Sequence, residues 1–96
     1  MITSKQRSYL RGLAHNIVPI FQIGKMGIED NFLKQVDLAL EARELIKLTV
    51  LNNSGLTARE ASEILCDELS CEGVQVIGNK LVLYRKSSKK PKIELP

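Results

Sequence analysis

The sequence predicts an α/β protein, an α+β sandwich in which a mixed four-stranded sheet packs with three helices in the order helix, strand, helix, strand, helix, strand, strand. Three observations predict it. Segments with apolar residues at helical spacing alternate with short runs of strand-forming residues. Two of the helical segments open with capping boxes. The last two strands flank a two-residue turn. Strands separated by helices usually run parallel with right-handed crossovers, and a closing hairpin adds an antiparallel pair, so the sheet is mixed.

Thr3 with Gln6 forms the first capping box, and Leu10, Leu13, Ala14 and Ile17 follow at helical period, which gives a helix over about 4–15. Its other face carries Lys5, Arg7 and Arg11, the two arginines one turn apart. Val18 to Ile23 is a strand that opens near Pro19, a residue suited to a strand start or edge because it cannot donate a ladder hydrogen bond. Gly24-Lys25-Met26-Gly27 then leads into a second helix from about Glu29 to Arg43, with Phe32, Val36, Ala39 and Leu40 on one side.

Leu45 to Leu51 reads as a buried strand, with Ile46, Leu48 and Val50 on one face and Leu45 and Leu51 on the other. After the turn Asn52 to Gly55, Thr57 and Glu60 form the second capping box, opening a helix expected to run to about Cys71. Ala58, Ala61, Leu65 and Leu69 are its buried stripe, and its outer face is acidic. Val74 to Ile77 and Leu81 to Tyr84 pair around Gly78-Asn79. Residues 1–86 are thus expected to form a single domain, and the lysine-rich residues 87–96 a basic, flexible C-terminal tail.

With 96 residues, 44% hydrophobic and 26% charged, the chain has the make-up of one folded globular domain. No apolar run approaches the length of a membrane span and no signal-peptide pattern follows the first residues, so a cytoplasmic protein is expected. Cys66 and Cys71, five apart in the expected third helix, would turn to different faces, which suits reduced structural thiols better than a disulfide or a zinc pair. His15 is the only histidine, so no metal site and no cofactor is expected.

The charge is unevenly spread. Residues 1–27 are net +4, residues 28–79 net −6 and residues 80–96 net +5. If the two basic ends meet in the fold, they make a patch able to neutralise phosphates, with the acidic part facing elsewhere. The alternative is a solvated surface with a frayed tail.

Gly24-Lys25-Met26-Gly27 joins a strand to a helix, where backbone N–H groups at the positive end of the helix lack partners. Phosphate is the matching ligand. The two glycines let a sugar-phosphate backbone lie against the main chain, Lys25 adds a mobile cation, and Met26 adds apolar surface. Two glycines in a connection can equally be a plain tight turn, and the motif matches neither the P-loop nor the dinucleotide-binding pattern. Its placement, after an acid-free segment and before a helix, is that of GXXG loops that clamp nucleic-acid backbone.

The run Leu13 to Gly27, with Ala39 to Lys47 and Val74 to Arg85, resembles the CRM domain, the family named for chloroplast RNA splicing and ribosome maturation, and within it the bacterial YhbY type. The resemblance covers nearly the whole chain up to about residue 86. It implies a fold like the C-terminal domain of bacterial translation initiation factor three, RNA binding through the glycine loop, and association with precursors of the large ribosomal subunit. By position it implies RNA contacts at Gly24, Lys25, Met26 and Gly27, flanked by the basic residues of the first helix. Members often have histidine before Glu-Leu-Ile-Lys. Here Arg43 stands in that place, which keeps a cation.

The expected RNA-contacting set is therefore Gly24, Lys25, Met26, Gly27, Lys5, Arg7, Arg11, Arg43, Lys47 and Arg85, with ribosomal RNA and large-subunit precursors as partners of a monomer. No catalytic residue is expected, because His15 has no serine, cysteine or carboxylate at a recognisable spacing. Phe21 and Tyr84 are expected in packing rather than on bases. The acidic third helix, with Glu60, Glu63, Asp67, Glu68 and Glu72, should repel RNA and offers an alternative role, an adaptor docking on basic ribosomal proteins.

Overall fold

A computed structural model describes residues 1–96. The elements are α1 (Ser4–Ala14), β1 (Phe21–Ile23), α2 (Asp30–Arg43), β2 (Leu45–Val50), a short 3-10 turn at Asn52–Ser54, α3 (Ala58–Leu69), β3 (Glu72–Ile77) and β4 (Lys80–Tyr84). The order and the mixed four-stranded sheet are as the sequence predicts. Both capping boxes are formed: the Thr3 side chain accepts from the Gln6 N–H while the Gln6 side chain accepts from the Thr3 N–H, and Thr57 and Glu60 do the same.

The strands lie in the order β1-β2-β4-β3. β1 runs parallel to β2, with Gln22 beside Thr49, and β4 runs antiparallel to both β2 and β3. Gly78, at φ 58°, occupies the left-handed conformation that the two-residue hairpin turn between β3 and β4 needs. β1 is only three residues long. Val18 and Pro19 precede it, consistent with the missing N–H of proline.

Period-two alternation gives the sheet two faces, and each has its own core. On one face Ile23, Ile46, Leu48, Val50, Leu81 and Leu83 pack with Val36 and Leu40 of α2 and Ala58, Ala61 and Leu65 of α3. Phe21 joins this side, its ring 5.7 Å from that of Phe32 in an edge-to-face contact. On the other face α1 lies alone, setting Leu10 and Ala14 on Leu45, Val74, Val82 and Tyr84. The molecule therefore has three layers, with one helix on one side of the sheet and two on the other.

Two expectations are corrected. α3 stops at Leu69, because Ser70 turns left-handed at φ 52° and reverses the chain, so Cys71 lies outside the helix. The Cys71 N–H donates to the Cys66 carbonyl at 3.3 Å and the two thiols come together rather than facing apart. Beside Cys71 the Cys66 thiol is drawn down to about 7, and Cys71, set against Cys66 and buried, is pushed up; the Cys71 thiol itself donates to the Leu65 carbonyl at 3.6 Å. Both remain free thiols.

The second correction concerns residues 87–96, whose lysines and prolines point to a loose tail. They fold back on the body, held by two carboxylates at the end of α2. Glu44, fully buried and at φ 67°, accepts from the N–H groups of Ser87, Lys92 and Ile93 at 2.8, 2.6 and 2.8 Å. Glu41 accepts from the hydroxyls of Ser87 and Ser88 and from the Ser88 and Lys89 N–H groups. Ile93 and Leu95 then pack on the α1 core, and the Gln6 side chain donates to the Pro96 carbonyl. Apolar residues two apart at the chain end carry the signal for this docking, but the carboxylates that hold the segment are 43 to 49 residues away.

Candidate nucleic-acid interface

Gly24–Gly27 closes as a tight turn, the Gly27 N–H donating to the Gly24 carbonyl at 2.9 Å. Gly27 needs to be glycine for its conformation, φ 67°, since open space surrounds it. A Cβ on Gly24 would find only ordinary contacts with Leu51 and Asn53, so that glycine is not required by packing inside the protein. What it leaves free is the outer approach to the main chain. Lys25 and Met26 at the tip are exposed, Met26 to 72%.

The start of α2 differs from the starts of α1 and α3. Glu29 occupies the N-cap position without a side-chain hydrogen bond to the helix, and the first backbone bond runs from the Leu33 N–H to the Glu29 carbonyl. The amides of Asp30, Asn31 and Phe32 therefore face outward at the positive end of the helix. In front of them is a concavity of about 370 Å³ lined by Gln22, Lys25, Met26, Asn31 and Gln35, among others. Glu29 is also among the residues that line it.

The expected RNA-contacting residues divide by place. Lys5, Arg7 and Arg11 are on α1, and Arg7 is anchored by its Nε donating to the Gly73 carbonyl at 3.1 Å, which leaves its terminal nitrogens free. Lys47 is on β2 and points to the α1 side, since it pairs with Val82 of the α1 core. Arg43 is elsewhere: α2 has 14 residues, so at about 1.5 Å per residue it lies roughly 20 Å from the loop.

Arg85 does not belong to the same set of free cations. Its guanidinium donates to the Asp37 carboxylate at 2.7 Å and to the carbonyls of Leu69 and Asp37 at 3.0 Å each, tying the residue after β4 to the middle of α2 and the end of α3. Charge counting could not see this commitment. Sequence reasoning also passed over Gln22, Asn31 and Gln35, which line the loop concavity. Gln22, a polar residue between Phe21 and Ile23 in a strand, was the available signal.

His15 caps the C-terminus of α1 through its backbone and is exposed, with no carboxylate or hydroxyl bonded to it. Tyr84 is buried, and burial, then the Glu44 charge, pushes its phenol up. No group of three or more His, Cys, Asp and Glu side chains is placed to hold a metal ion. No helix is long and apolar enough to cross a membrane.

Comparison with known proteins agrees with this architecture. The CRS1/YhbY (CRM) domain profile matches residues 2–85. A Bacillus subtilis protein named Probable RNA-binding protein YqeI is 48% identical over 96 residues, covering all of both chains. A Haemophilus influenzae protein named RNA-binding protein is 36% identical over 95 residues, covering 99% of this chain and 95% of its own. The solution structure of the hypothetical protein SAV1595 from Staphylococcus aureus, 50% identical, superposes over the full length of both chains with a TM-score of 0.79. By sequence and by fold, the chain belongs to the CRS1/YhbY (CRM) domain family.

Proposed function

We propose that this chain is a non-enzymatic, cytoplasmic RNA-binding protein that holds structured ribosomal RNA through Gly24–Gly27 and takes part in maturation of the large ribosomal subunit. The observation that carries the reading is the tight glycine turn set against an uncapped helix start. Outward amides and Lys25 supply hydrogen bonds and charge for a phosphate, and the missing side chains let the ribose-phosphate chain approach. Arg7, Arg11, Lys5 and Lys47 add positive charge on the α1 side. The names of the Bacillus and Haemophilus relatives support RNA as the ligand.

Filter binding to purified large-subunit ribosomal RNA across a salt series tests it. Lys25→Glu should weaken binding by about tenfold and lower the salt slope by about 1. Unchanged affinity and slope in a folded Lys25→Glu protein refute the loop as the contact.

One observation favours a second reading. Glu63, Asp67 and Glu68 on α3 are exposed and form no ion pair, the single salt bridge of the fold being Arg85 with Asp37. That face suits a basic ribosomal protein. Capture of such a partner that survives ribonuclease and is lost in Glu63→Lys supports an adaptor role.

A further inference from the structure

We infer that the half of the sheet left uncovered by α1 is a second RNA-contacting surface, a basic trough that takes the sugar-phosphate backbone of one strand as it leaves the glycine loop. The inference rests on the loop reading above and joins Lys47, Arg7 and Arg11 of the expected set to Gln22, Gln75, Ile77 and Lys80, which lie outside it.

α1 crosses the sheet near one end only. It packs Leu10 and Ala14 on Leu45, Val74, Val82 and Tyr84, and the C-terminal segment fills the space on its Gln6 side, where Pro96 accepts from Gln6. Helical spacing puts Arg7 and Arg11 on the opposite flank. That flank borders the open half of the sheet, where register brings Gln22, Lys47, Thr49, Gln75, Ile77 and Lys80 to the α1 side. A depression of about 160 Å³ is formed there by Lys47, Gln75, Ile77, Lys80 and Val82. Ile77 is 62% exposed, high for an isoleucine within a strand.

Charge decides which partner fits. None of these sheet residues is acidic, and α1 contains no Asp or Glu. Two lysines on the floor and two arginines on the wall make an all-cationic surface that neutralises phosphates. The Lys80 ammonium donates only to the neighbouring Asn79 side chain, at 3.2 Å, and Lys47 has no side-chain partner. Gln22 and Gln75 offer amides that both donate and accept, as 2′-hydroxyls do. No aromatic ring is exposed on this floor, so bases are not stacked and the hold is indifferent to sequence.

The trough is also continuous with the loop. Gln22 lines the loop concavity and lies beside Thr49 on the sheet floor, so a strand gripped at Gly24–Gly27 passes over Gln22 and Thr49 to reach Lys47 and Lys80, and beyond the concavity that Glu29 helps to line none of these floor residues is acidic. Its floor is two to three residues long on each strand, about 7–10 Å, narrower than a double helix. A single strand is the fitting occupant.

The experiment compares Lys47→Ala/Lys80→Ala with Lys25→Glu on purified large-subunit ribosomal RNA, after thermal melting confirms that each is folded. The double variant should bind about tenfold more weakly and lower the salt slope by about 1.4, two single-strand phosphate contacts. A double variant with wild-type affinity and slope, beside a weakened Lys25→Glu, overturns the trough and leaves the loop standing. If wild-type protein retains no RNA, both readings fall. A photoreactive phenylalanine analogue placed at Ile77 should crosslink to this RNA, and one at Leu38, on the other side of the sheet, should not; the reverse pattern overturns the trough.

Discussion

The two ends of α2 solve the same problem in opposite ways. At its C-terminal end, backbone N–H groups of Ser87, Lys92 and Ile93 converge on the buried Glu44 carboxylate, and those of Ser88 and Lys89 on Glu41. At its N-terminal end, the Gly24–Gly27 turn and the first helical amides converge on nothing within the chain. Amides around an anion are common to both. Where the anion is built in, the result is architecture. Where it is left out, the same geometry becomes a place for a phosphate, and the helix gives up a cap worth about 1 kcal/mol.

Glu44→Ala should have the largest effect on this contrast. It removes a charged acceptor from three amides and releases the C-terminal segment, so stability should fall by about 3 kcal/mol in urea unfolding. The Lys89–Lys92 stretch should also become sensitive to trypsin. If the variant keeps wild-type stability, Glu44 is not a structural anion and the comparison breaks.

Arg85→Ala comes next. Loss of its bonds to Asp37 and Leu69 should cost about 1.5 kcal/mol while RNA affinity, corrected for the folded fraction, stays near wild type. A large affinity loss at full stability would return Arg85 to the RNA-contacting set.

Supplying the missing anion at the empty end is a sharper test. Glu29→Asp keeps the charge but shortens the side chain enough to cap α2, so it should stabilise by about 0.5–1 kcal/mol and weaken RNA binding together. Stabilisation without any loss of affinity means the phosphate does not use those amides.

The smallest effect is local and set by pH. Hydrogen bonds from Ser87 and the Ser88 N–H hold the Glu41 carboxyl down at about 2 against an ordinary 4.5. For Glu44 burial pushes upward, but the bonds from Ser87, Lys92 and Ile93 with the Lys86 charge outweigh it and leave it lowered. Folded carboxyls that bind protons less readily than unfolded ones contribute stability that is complete above pH 4.5. For Glu41 it is lost as pH falls toward about 2. Hydrogen exchange at Ser88 and Lys89 should accelerate in that window before the sheet amides do.

What the sequence disclosed followed local rules. Thr3 with Gln6 and Thr57 with Glu60 announce helix starts through contacts three residues apart, and Gly78-Asn79 announces a turn. The glycine loop is visible for the same reason. Three features were hidden because their partners are distant or their conformation lacks a marker. Ser70 takes a left-handed conformation usually signalled by glycine, so the end of α3 is two residues early. The C-terminal segment depends on Glu41 and Glu44, 43 to 49 residues away. Arg85 counts as one positive charge in a sum, yet its partners Asp37 and Leu69 come from two different helices.

The meeting of Ile2 with Glu72 and of Gln6 with Pro96 brings both ends of the chain to one corner, beside the start of β3. The glycine turn sits past the far end of β1, on the opposite edge of the sheet. Anything joined to either terminus, a reporter or a second domain, would hang from the same point like a load on a handle, while the working tip stays clear.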